Sequence, residues 1–168
     1  MSASPGLAAL HDPALPGFVT DGGLETDLIF HRGVDLPQFA AFPLVDDPAG
    51  RDLLTSYYDG YARVAAAASA GLLVETPTWR ANPDWAALVG YDAAGVARVN
   101  ADAVGLARSL AERYAADVPA VLVVGTVGRG VTATSWGRPW TWSRRATTTP
   151  PRCAPSARPA PTSWPPTR

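Results

Sequence analysis

Phe18-Val19-Thr20-Asp21-Gly22-Gly23-Leu24-Glu25-Thr26-Asp27-Leu28 decides how this chain reads. A short apolar run meets an acidic turn with two glycines, the pattern of a buried strand that ends at a site. Gly22 and Gly23 allow positive φ and let a ligand approach the backbone, while the amides they expose can hold a carboxylate. Asp21 adds a fixed negative charge beside those donors. Asp-Gly is also a common strand-terminating turn, and recurrence is what separates the two readings. Leu72-Leu73-Val74 runs into Glu75-Thr76-Pro77-Thr78, and Val121-Leu122-Val123-Val124 runs into Gly125-Thr126-Val127-Gly128, each after a helical pattern.

The segments between these runs read as helices. Asp47-Pro48 supplies an N-cap carboxylate and a proline at the first helical position. Leu53, Leu54, Tyr57, Tyr58, Tyr61, Val64, Ala65 and Ala68 then recur at helical spacing, and Gly71 is the expected stop. The three tyrosines read as a helix face packed on a sheet rather than as a stacking platform. A short helix closed by Gly33 is expected from Leu28, and another over residues 83–89 after a polar, aromatic loop. Asp92 starts the last, whose stripe of Val96, Val99, Ala103, Val104, Leu106, Ala107, Leu110 and Tyr114 stops before Pro119. Residues 1–16 read as a loose lead-in. Strands alternating with helices, with the polar turns all at strand C-terminal ends, specify an α/β fold with a parallel sheet, open or closed into a barrel. Ligands sit at those ends in both.

Composition supports one domain followed by something unlike it. The 168 residues are 47% hydrophobic, enough for a core if evenly spread. They are not evenly spread. All 15 acidic residues lie at or before Asp117, against seven arginines in residues 1–128; the remaining seven arginines follow with no carboxylate and there is no lysine. No apolar run approaches the ~18–20 residues of a membrane span, and the start lacks a cationic stretch leading into an apolar core, so the expectation is a cytoplasmic protein without membrane partners. Cys153, the single cysteine, excludes an internal disulfide and cannot alone build a cysteine-rich metal site. His11 needs no role, and His31 reads as solvent-facing or hydrogen-bonded.

In order and strand context, Asp21-Gly22-Gly23-Leu24-Glu25-Thr26, Glu75-Thr76-Pro77-Thr78-Trp79-Arg80-Ala81-Asn82 and Gly125-Thr126-Val127-Gly128 resemble the homocysteine S-methyltransferases, over residues 18–128. The resemblance implies the N-terminal part, about three βα units, of a (β/α)8 TIM-type barrel. It also implies a zinc enzyme that moves a methyl group from a sulfonium, betaine-type or folate donor to the thiol of homocysteine, giving methionine. The partners implied are those small molecules and no nucleic acid. By the same resemblance Asp21 and Gly22, with the amides around Gly23, hold the amino-acid end of homocysteine, and Glu25, Thr26, Glu75 and Thr76 line the barrel mouth with no catalytic step assigned. Glu75 paired with arginine is the equal alternative. The reaction needs a thiolate, which zinc coordination supplies. The family holds that zinc with three cysteines, one after a later strand and an adjacent pair near the C-terminus. This chain has none of those motifs, and a barrel takes roughly 250 residues; the expectation is a truncated chain, inactive as written.

From Arg129 onward there is no Leu, Ile, Phe, Tyr, Met, Asp or Glu, while eight prolines, eight threonines, seven arginines and four tryptophans crowd in. Such a segment cannot form a core, and residues 129–168 are expected as a disordered low-complexity tail after a domain of residues 1–128. A frameshift explains the composition. If each codon is rebuilt from the third base of one residue and the first two of the next, Trp136-Gly137 must give Gly, Trp140-Thr141 must give Asp, and each residue before a tryptophan gives Leu, Met or Val. Deleting one C from codons for Gly-Pro-Arg-Gly-Asp yields Gly128-Arg129-Gly130-Val131 and begins Thr132. Two rival classes remain at this stage. One is a non-catalytic α/β binding module with a basic arm, weakly supported by Arg144-Arg145. The other is an enzyme using Asp21 and Glu75 as an acid–base pair on a phosphorylated ligand at residues 125–130, which lacks the lysine of a P-loop.

Overall fold

The computed structural model describes residues 5–128, so the expectations for the tail and for Cys153 fall outside the described residues. The chain opens with a short helix α1 (Pro5–Ala8) and a 3-10 turn, Ala9–His11, where the sequence reading expects a loose lead-in. Strand β1 (Phe18–Thr20) follows. Helix α2 (Leu24–Thr26) begins directly after it and continues as a π-turn over Asp27–His31. The expected start at Leu28 is therefore late by one turn. Leu24 and Leu28, one turn apart, are both buried, so the helix pins its inner face from its first residue.

Two 3-10 turns, Pro37–Phe39 and Phe42–Val45, lead to α3 (Pro48–Ala67). Its Asp47 cap accepts from the Gly50 amide at 2.8 Å, satisfying one of the helix's orphan donors. Gly71 does not end this helix. The chain leaves α3 at Ala67, turns through Ser69 at φ 51°, and Gly71 is the first residue of β2 (Gly71–Glu75). Glycine is needed there because Gly71 lies in register with Phe18 of β1, and an added Cβ would overlap the Phe18 ring. Helix α4 (Pro83–Leu88) is capped by Asn82, α5 (Ala93–Tyr114) carries the Asp92 cap that the sequence indicates, and β3 (Val121–Val124) is the last strand of the described chain.

The three strands form one sheet in the order β1-β2-β3, parallel throughout. Strand alternation sends Leu72 and Val74 to the helical side, where they are buried in one cluster with Leu54, Tyr57 and Tyr58 of α3 and Val99, Ala103 and Leu110 of α5. Val64 and Ala68, expected on the apolar stripe of α3, are exposed; Ala62 and Ala65 carry the buried face at that end. On the other face Leu73 joins Leu7, Leu10 and the β3 residues around an apolar cavity of about 360 Å³. Parallel pairing requires a crossover between strands, and here α3 supplies the first and α4 with α5 the second. Each returns the chain to the amino end of the next strand, so all three strand-ending turns emerge on one side.

Candidate functional site

Side chains on a helix lean toward its N-terminus. Because α3 runs back against the strands, the hydroxyls of its mid-helix tyrosines reach the strands' carboxyl ends. Tyr57 Oη and Tyr61 Oη donate to the Gly22 carbonyl at 3.0 and 3.1 Å, and Tyr58 Oη donates to the Glu75 carbonyl at 2.6 Å. The turns after β1 and β2 are thereby seated on one helix face. Only Gly23 of the glycine pair takes positive φ, at 68°, as the residue that leads into α2. Gly22 lies on open space, where a Cβ would meet nothing within 4 Å.

Between these turns lies a cavity of about 170 Å³ lined by Asp21, Gly22, Gly23, Glu25, Glu75 and Thr76, together with Tyr58, Trp79 and Thr126. Six of the seven sequence-derived site residues meet there. The seventh, Thr26, is exposed on α2 and is not part of the lining. A larger cavity, about 490 Å³, opens between α3 and α5, where Asp59 takes Tyr114 Oη at 2.8 Å and Arg113 at 3.2 Å.

Among the described residues, threonines and no arginine hold Glu75. Its Oε1 accepts from Thr20 Oγ1 at 3.1 Å and its Oε2 from Thr126 Oγ1 at 3.1 Å, so the residue ending β1 and one just beyond β3 grip it from either side. Beneath it, buried Thr76 and Thr78 share a 2.6 Å hydroxyl contact; Thr76 Oγ1 accepts from the Thr126 amide at 2.9 Å and Thr78 Oγ1 donates to the Thr126 carbonyl at 2.7 Å. Thr76 therefore lines the cavity with its hydroxyl already committed to tying the β2 and β3 turns together.

Asp21 is placed differently. Burial, and secondarily the charge of Glu75, push its carboxyl up to about 6, against a weaker pull down from the Tyr57 hydroxyl. Its Oδ1 is buried with no hydrogen-bond partner among the described residues. Burial also raises Glu25, opposed by the positive charge of Arg80, whose guanidinium lies over the rings of Trp85 and Trp79 at 3.7 and 4.6 Å. Tyr57 and Tyr58 are shifted upward chiefly by burial and stay protonated donors. His31, exposed, contacts Asp27 at 3.1 Å, the hydrogen-bonded role expected of it.

The sequence reading misses the polar half of this site: the tyrosine hydroxyls, Thr20 and Thr126. The available signal is three tyrosines in five residues of a crossover helix, and threonines at the ends of both outer strands. No group of three or more His, Cys, Asp or Glu side chains among the described residues is arranged to hold a metal ion. The cavity's acidic side chains, all carboxylates, do not make the thiolate set that zinc takes in the resemblance, and no step here passes through a metal. No helix among the described residues is long and apolar enough to cross a membrane.

Fold and cavity together define a parallel βα assembly with a cavity built from turns at the strand carboxyl ends, the place where barrel and open-sheet folds hold ligands. The homocysteine S-methyltransferase family profile matches residues 18–149, and the chain belongs to that family. Its structure is similar to that of the homocysteine methyltransferase MmuM from Escherichia coli, solved in a metallated form, with 28% identity and a TM-score of 0.54 over 80% of this chain and 44% of that one. The chain thus spans under half the length of that enzyme. No curated protein sequence matches it.

Proposed function

We propose that the cavity between the β1 and β2 turns receives the amino-acid end of homocysteine, the thiol substrate that the family's complete enzymes would methylate to methionine. The observation that carries this reading is the buried, unpartnered Oδ1 of Asp21 in a turn whose Gly22 carbonyl is doubly bonded. An unsatisfied buried acceptor costs about 1–3 kcal/mol, which a substrate ammonium would recover through a charge-assisted bond. The space above Gly22 admits the substrate carboxylate to the backbone.

The proton balance gives this reading a testable sign. Asp21 attracts an ammonium only when ionised, so affinity should rise as pH increases through about 6 and level above it. Titration calorimetry of the full chain with homocysteine, and with its deamino analogue as reference, measures this. A flat profile, or equal affinity for the two ligands, rejects the assignment. Methyl transfer itself needs a thiolate. Because the sequence holds one cysteine where the family resemblance implies three, we propose that this chain binds the amino acid without methylating it, and that its partners are homocysteine and a methyl donor. By the family resemblance the zinc would sit on three cysteines, a set that this sequence, with Cys153 alone, does not supply.

The composition change after Gly128 fits a frameshifted tail. The family match runs on to residue 149, so its end does not mark the junction. Resequencing the genomic DNA across the Gly128 and Arg129 codons does. One additional C restoring an acidic, cysteine-bearing continuation is the expected result; an unaltered codon series followed by no such continuation in any frame sinks the idea.

A further inference from the structure

Three hydroxyls on one helix face are spent entirely on the two turns that make the cavity. Tyr57 and Tyr61 both donate to the Gly22 carbonyl, their oxygens 3.4 Å apart, and the Gly22 amide makes a long bond of 3.4 Å back to Tyr61 Oη. Tyr58 takes the Glu75 carbonyl. The rings brace one another, with centroids 5.2 Å apart for Tyr57–Tyr58 and 5.1 Å for Tyr57–Tyr61. Tyr57 and Tyr58 are 3% and 2% exposed, so their rings are shielded from water, while Tyr61 is partly buried. Phenylalanine would fill the same core volume; what only tyrosine supplies is a fixed donor at each strand end.

We infer that Tyr57, Tyr58 and Tyr61 are positioning residues, and that α3 is a strut fixing the Asp21 carboxylate relative to Glu75 and so setting how strongly the cavity prefers a ligand with an amino group. This rests on the amino-acid reading given above. The groups that face Asp21 are Tyr57 and Tyr58 from α3, Glu75 from the end of β2 and Glu25 from α2, with Arg80 behind Glu25 and Tyr61 beside Tyr57 on the Gly22 carbonyl. Of these, Tyr57 is the neighbour whose hydroxyl favours the ionised carboxyl. Losing the hydroxyls while keeping the rings would leave the Gly22 turn unsupported and the carboxyl less readily ionised.

The test uses the full chain with the double substitution Tyr57→Phe/Tyr61→Phe. The control is Tyr91→Phe, which removes an equally engaged hydroxyl, 2.7 Å from Asp46, remote from the cavity. Three readouts apply: the Asp21 carboxyl titration by carbon NMR, hydrogen exchange of the Gly22 amide, and the preference for homocysteine over its deamino analogue. The double variant is expected to move the Asp21 midpoint up by about 0.5 in pH. Gly22 exchange should quicken at least about tenfold, and the amino-group preference fall about tenfold, with the control unchanged. An unmoved midpoint with unmoved exchange in the folded double variant overturns the strut, as does an equal response in Tyr91→Phe. If the unsubstituted chain shows no amino-group preference, the amino-acid reading fails, and titration and exchange alone decide the strut. Should the double variant not fold, Tyr61→Phe gives the same two NMR readouts from a partly buried ring.

Discussion

Asp21→Asn is expected to weaken homocysteine binding about tenfold to a hundredfold and, at the same time, to stabilise the fold at neutral pH. The first effect follows from losing a hydrogen bond between charged groups, worth about 1.5–3 kcal/mol. The second follows from the sign of the proton linkage. The folded-state pKa of Asp21, about 6, lies above the ordinary 3.8, so the folded chain holds a proton the unfolded chain has released. Below about pH 4 both states are protonated and the group costs nothing. As pH rises through 6 the buried carboxylate must ionise, and stability falls. Asparagine avoids that cost, a gain of roughly 1–2 kcal/mol at pH 7 after allowing for solvent screening of a partly exposed group. Urea unfolding at pH 7 and pH 4, beside calorimetry with homocysteine, measures both. A variant less stable at pH 7, or one that binds as the parent does, removes Asp21 from the role given to it.

The second large effect belongs to the scaffold. Phe42 is fully buried in the 3-10 turn before α3, and its ring meets Tyr91 edge-on with centroids 5.0 Å apart. Phe42→Ala should cost about 3–5 kcal/mol, from the lost transfer energy and the cavity left behind. That is a large share of the 5–15 kcal/mol typical of a natural domain. Phe42→Leu, which keeps most of the volume, should lose markedly less. Denaturant midpoints of the two variants decide the point; a loss below about 1 kcal/mol for the alanine variant shows that this turn is not part of the core. Neither residue touches the cavity, so the fraction that remains folded should bind ligand as the parent does.

These two residues also mark what the sequence makes legible. The strands, the long helices and their caps follow from local rules: Asp47, Asn82 and Asp92 each stand one residue before the helix they cap. The backbone glycines of the first motif mark the site turn for the same reason. Other features depend on residues far apart in sequence. Whether Gly71 stops a helix or starts a strand is settled by the Phe18 ring beside it. Whether Glu75 pairs with arginine or with threonines is settled by which residues end the flanking strands. The tyrosine face was legible as apolar packing because ring periodicity is local; the use of its hydroxyls depends on helix direction relative to the sheet. Phe42 carries no periodic signal, since a 3-10 turn is too short to show one.

The threonine grip on Glu75 has a consequence for how the chain reaches this structure. It joins Glu75 to Thr20, 55 residues earlier, and to Thr126, 51 residues later. Both loops must close before the carboxylate has both partners, whereas the helices between them can form from neighbouring residues within microseconds. Refolding should therefore restore helical content well before it restores the cavity. A bound ligand would report the finished sheet, and the site would be the last part of the chain to assemble and the first to report its loss.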